Sequence, residues 1–134
     1  MAENTIRSNK ENDAAAVIAR FLGDENRVIR FRVFPRMLSE GNWDISVLEL
    51  SQRSYNCLKR SGIGTVGVLA ERIEGIGDLL RIRNLGVKSA KEIMFRLYLF
   101  QYQVLSEEKK REYLKEVISL NRLAGQAEEQ DRGK

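Results

Sequence analysis

The chain has 134 residues, 43% of them hydrophobic, which suits one packed domain, and its 23 basic and 19 acidic residues leave a formal net charge of +4. A lone cysteine, Cys57, excludes an internal disulfide, and a chain without histidine has too few soft ligands for zinc, so neither a metal nor a cofactor is expected. The polar start over residues 1–10 is unlike a secretion signal, and no window approaches eighteen uncharged apolar residues, which argues against a membrane partner.

In chain order, residues 1–13 are polar and expected to fray, and Ala14 to Leu22 has helical composition with Gly23 as its stop. Val28 to Phe34 alternates, with Ile29, Phe31 and Val33 on one side and Pro35 at its end, and is predicted as a short strand. One strand has no partner of its own, so it must pair with a neighbour or another chain, or lie as an extended segment on the core. From Asp44 the pattern is helical. Ser51 is a fitting N-cap for a helix to about Arg60, with Tyr55 and Leu58 inward and Arg53, Asn56, Cys57 and Arg60 along another face. Thr65 caps a second helix with the buried stripe Val66, Leu69, Ala70 and Ile73, and Ile76, Leu79 and Leu80 mark a third. The fourth, about Val87 to Gln101, carries two apolar stripes: Ala90, Ile93, Met94 and Leu97, then Phe95, Tyr98, Leu99 and Tyr102. A helix apolar on two faces must be covered on both, and a final helix over Glu107 to Leu123, with the N-terminal region, is expected to do so. Gly125 to Lys134 is polar and expected to be disordered.

Between these helices lie two glycine hairpins, Ser61-Gly62-Ile63-Gly64-Thr65-Val66 and Asn84-Leu85-Gly86-Val87-Lys88-Ser89, which read as paired helix-hairpin-helix units in an all-α, compact bundle. The glycines permit positive φ or close approach of another molecule. Each following helix start offers free N–H groups to a phosphate, so each hairpin is expected to act as a phosphate clamp. Residues 50–101 hold nine basic residues against four acidic ones while the flanks are nearly neutral, so charge is concentrated where the hairpins lie, as a polyanion partner requires. No histidine, metal cluster or Gly-x-x-x-x-Gly-Lys motif is present for hydrolysis or phosphoryl transfer, so no catalytic residue is expected.

The stretch Leu48-Glu49-Leu50-Ser51-Gln52-Arg53-Ser54-Tyr55-Asn56-Cys57-Leu58-Lys59, followed by Arg83-Asn84-Leu85-Gly86-Val87-Lys88-Ser89-Ala90-Lys91-Glu92-Ile93, resembles the C-terminal domain of the bacterial RNA polymerase α subunit. The resemblance covers roughly residues 44–101. It implies double-stranded DNA as ligand, bound in the A·T-rich minor groove, with Arg53 reaching into the groove and Asn56, Cys57, Lys59, Gly86, Lys88, Ser89 and Glu92 on the same DNA-facing surface. A narrow A·T groove has enhanced negative potential that attracts an inserted arginine, Gly86 would let amides approach phosphate, and Lys88 would neutralise it. Glu92, an acid in this company, is expected to orient a basic neighbour. Glu49 matches a family position that contacts other transcription proteins, so RNA polymerase, sigma factor or transcription regulators are implied partners, in the bacterial cytoplasm at the nucleoid. The sequence departs from the family at Glu74-Gly75-Ile76-Gly77-Asp78, which is slightly longer, and at Ile82-Arg83, which replaces a threonine-proline pair. Nothing in it corresponds to the large N-terminal domain of α subunits. The resulting expectation is an N-terminal extension over 1–43, the helix-hairpin-helix domain over 44–101, a C-terminal helix over 102–124 and a tail over 125–134, as an excised or free-standing domain. A protein–protein adaptor that keeps the fold without binding DNA is the alternative.

Overall fold

The computed structural model describes residues 28–132, with side chains as far as Asn121. The helix expected at Ala14 to Leu22 and the polar start lie outside the described residues. The elements are α1 (Pro35–Glu40), a 3-10 turn (Ile45–Leu48), α2 (Gln52–Arg60), α3 (Val66–Arg72), α4 (Ile76–Leu80), α5 (Val87–Val104) and α6 (Glu107–Arg132). The protein divides into two compact units: one is Arg32–Val104, and the described part of the other comprises residues 28–31 and 105–132. The first opens ahead of the boundary expected at 44.

The local signals for α2 and α3 act as the sequence predicts. The Ser51 hydroxyl accepts the Ser54 N–H at 3.3 Å, and the Thr65 hydroxyl accepts the Val68 N–H at 3.1 Å, so each helix starts on a side-chain cap. Val66, Leu69, Ala70 and Ile73 are buried, as are Ala90, Ile93, Met94 and Leu97 of α5. Leu80, by contrast, is exposed, because the five-residue α4 turns only Leu79 fully inward. On the second stripe of α5, Tyr98 and Tyr102 are buried, and burial pushes the Tyr98 phenol upward from its ordinary pKa.

Three expectations need correction. Residues 28–34 form no strand; the segment carries no secondary structure. Side-chain amides supply backbone partners in place of a ladder. Gln101, fully buried on α5, donates to the Arg32 carbonyl at 2.8 Å and accepts the Phe34 N–H at 2.8 Å. In the other unit Asn121 does the same for Arg30, accepting its N–H at 3.0 Å and donating to its carbonyl at 2.9 Å.

Secondly, Pro35 opens a helix as well as ending the extended segment, since its fixed φ and missing N–H suit the first helical position. Helix α1 buries Leu38 and packs on α3, where Gly67 allows the approach: a Cβ there would stand 2.6 Å from the Ser39 Cα. Thirdly, α6 continues to Arg132, past the expected end near Leu123, so the backbone over 125–132 takes helical geometry. No helix of the described residues is long and apolar enough to cross a membrane.

Candidate nucleic-acid interface

Helix α2 presents Arg53 and Arg60 to solvent, with Asn56 half-buried between them. These three, with Cys57 and Asn84, line one shallow open recess. Arg60 and Asn84 were not among the expected site residues; Asn84 could have been found from its place at the head of the second hairpin. Cys57 differs from expectation. It reaches the recess but is buried, its thiol 3.6 Å from the Asn84 carbonyl, and so joins α2 to the second hairpin.

The second hairpin takes its left-handed residue at Asn84 (φ 68°), one of the few side chains that tolerate that region. Gly86 therefore does not serve the turn. Its φ lies outside the left-handed region, and an added Cβ would meet nothing within 4 Å. Among the described residues the amides of Val87, Lys88 and Ser89, which open α5, have no hydrogen-bond partner within the protein. Lys88 is exposed and Ser89 partly so. A hairpin with exposed Gly86, unengaged amides and a lysine has the chemistry to hold a phosphate.

The first hairpin is engaged from within. Gly62 takes φ 80°, the Gly64 carbonyl accepts the Ile45 N–H at 3.1 Å, and the Val66 N–H donates to the Trp43 carbonyl at 2.9 Å. With Val68 bonded to Thr65, two of the first N–H groups of α3 are used internally. The Gly64, Thr65 and Gly67 amides have no hydrogen-bond partner among the described residues. Arg72 adds a hydrogen bond to the Ser61 carbonyl at 3.0 Å.

Lys59 stands on the outer side of α2 with its ammonium 3.2 Å from Asp44. Asp44 also accepts the Ser46 N–H at 2.8 Å. The backbone and hydroxyl of Ser46, then Lys59, hold its carboxyl down at about 2, while the Asp44 hydrogen bond raises the Lys59 ammonium. Glu92, half-buried on α5, was expected to orient a basic neighbour; its hydrogen bonds go to Ser51 and Ser54, which flank Arg53 in sequence. Burial alone would raise its carboxyl, but these hydrogen bonds outweigh it and hold the group below the ordinary glutamate value. Glu49 occupies the left-handed C-cap of the 3-10 turn at φ 54°, its side chain well exposed and 3.9 Å from Arg96.

The family model for the C-terminal domain of the bacterial RNA polymerase alpha subunit matches residues 34–98, which takes in α1 and most of α5. This stretch is a domain of that family. The α C-terminal-type domain is a transcription-related domain. Among curated relatives, the DNA-directed RNA polymerase subunit alpha of Carboxydothermus hydrogenoformans is 47% identical over 64 residues, covering 48% of this protein and 20% of the relative. The corresponding subunit of Rubrobacter xylanophilus is 50% identical over 62 residues, covering 46% and 19%, and that of Macrococcus caseolyticus 53% over 53 residues, covering 40% and 16%. The matched stretch thus spans a fifth or less of the length of these relatives. Comparison with solved structures returns no match.

Proposed function

We propose that the α C-terminal-type domain binds double-stranded DNA at A·T tracts, with Arg53 entering the minor groove and the Gly86-Val87-Lys88-Ser89 turn holding a flanking phosphate. The observation that carries this reading is the convergence of Arg53, Asn56, Arg60 and Asn84 on one recess, with the hairpin of unengaged amides following Asn84 directly. Arginine suits the groove because its planar guanidinium is weakly hydrated and always charged. Asn56 adds a donor and an acceptor beside it, and Cys57 acts by holding Asn84 against α2 rather than by touching DNA. The role is non-catalytic and set in the bacterial cytoplasm, with RNA polymerase, sigma factor or a transcription regulator as protein partner through Glu49.

Titration of the whole protein with A·T-rich and G·C-rich duplexes at two salt concentrations tests the reading. Affinity for the A·T duplex should be roughly micromolar or weaker at physiological salt and should fall steeply as salt rises. Arg53→Ala should cost about 1–3 kcal/mol on the A·T duplex with the fold intact. Equal weakening of both duplexes would refute groove entry, and no binding even at low salt would favour the adaptor.

A further inference from the structure

A capping box places glutamate or glutamine at the third helical position, from which it reaches back to the N–H of the N-cap residue. Helix α2 has Ser51 at its N-cap and Ser54 at that third position, so it lacks the acid. The carboxylate comes from α5. Glu92, 41 residues further on, accepts the Ser51 N–H at 2.9 Å and the Ser51 hydroxyl at 2.8 Å, and it accepts the hydroxyl of Ser54 as well. Ser54 is fully buried, so its hydroxyl must be satisfied inside the protein.

Arg53 lies between the two serines, within the first turn of α2. That turn is where an uncapped helix frays, because its leading N–H groups have no intrahelical partners. Hydrogen bonds to a carboxylate are about twice as strong as neutral ones, so this joint is a firm one. It also sets α2 against the first turns of α5, which carry Lys88 and Ser89. We infer that Ser51, Ser54 and Glu92 form a tertiary capping box that positions Arg53 for the minor groove, so that Glu92 acts on DNA through α2 and not by contact. The inference rests on the groove reading of Arg53. It explains why an acid belongs on a surface that would otherwise repel phosphate: both of its oxygens are engaged by serine donors.

The test uses the whole protein and both duplexes. Ser51→Ala and Glu92→Gln, the latter leaving one acceptor oxygen where serine donors now engage two, should weaken A·T binding about tenfold and leave the weaker G·C binding nearly unchanged, whereas Ser51→Thr, which keeps the hydroxyl at an exposed position, should restore discrimination. In an Arg53→Ala background the same two changes should cost nothing more, since the residue they position is gone. If the triad served stability alone, both duplexes would weaken alike and the losses would add to that of Arg53→Ala; either result overturns the proposal. Should Glu92→Gln fail to fold, the Ser51→Ala and Ser51→Thr pair decides. Loss of discrimination in Arg53→Ala combined with wild-type discrimination in Ser51→Ala and Glu92→Gln would refute the capping box while leaving the groove reading standing. Full discrimination in Arg53→Ala would refute both.

Discussion

The two hairpins share a glycine motif and differ in where their hydrogen bonds go. In the first, Gly62 supplies the left-handed residue, and the Val66 and Val68 amides are consumed by Trp43 and Thr65. In the second, Asn84 takes the left-handed position, Gly86 stands in open space, and the amides of Val87, Lys88 and Ser89 find no partner among the described residues. The same motif therefore spends two of its three helix-opening amides inside the fold at one place and leaves all three unengaged at the other. A glycine needed by φ or by packing serves the fold. A glycine needed by neither leaves room for another molecule.

The contrast can be broken most forcefully next to the first hairpin. Gly67→Ala would put a methyl against the Ser39 backbone, which neither α1 nor α3 can yield cheaply, so a loss of about 1–3 kcal/mol in denaturant unfolding is expected. Gly62→Ala would force a side chain into φ 80° and should cost roughly 1–2 kcal/mol. Gly86→Ala should leave stability within about 0.5 kcal/mol of the parent while weakening DNA binding several-fold. A destabilised Gly86→Ala with normal binding would place both hairpins in the same structural role.

A finer comparison lies between the two lysines. Lys88→Ala should lower the salt slope of DNA binding by about one, and Lys59→Ala by clearly less, because Asp44 already neutralises Lys59 at 3.2 Å. Equal slopes would show that the Asp44 pair opens when DNA arrives. The smallest effect concerns Asp44 itself, whose carboxyl is held at about 2 against an ordinary 3.8. A folded pKa below the unfolded one contributes stability that is present above 3.8 and lost as pH falls toward about 2. Melting temperatures of Asp44→Asn and the parent should therefore converge across that window, and parallel profiles would show that the group is not linked to folding. The effect is small because Asp44 is exposed to solvent.

Much of the candidate site was legible because its signals are local. Ser51 and Thr65 cap as expected, and the 3.6-residue spacing of apolar positions fixes which side of α2 is inward, which leaves Arg53 outward. Cys57 shares the Arg53 side of α2 as expected but is buried, for a reason that no helical wheel contains: the second hairpin lies over it, with the Asn84 carbonyl at its thiol. Ser54 carried a usable signal. A serine N-cap followed three residues later by another serine, with no acid, leaves the N-cap N–H open to a partner from elsewhere.

The sequence by itself determined the helices, their caps, the inward stripes and the positions of the hairpins, because each depends on residues within about four positions of one another. Only the tertiary structure decided which helix-opening amides are consumed inside the fold, that neither φ nor packing requires a glycine at Gly86, and that Glu92 completes the cap of a helix 41 residues earlier. It also decided how the alternating segment at 28–34 satisfies backbone groups without a sheet, through Gln101 and Asn121. The physical reason is common to all of these. A backbone donor or acceptor removed from water must find a partner, and composition and spacing show that the need exists without showing which distant side chain meets it.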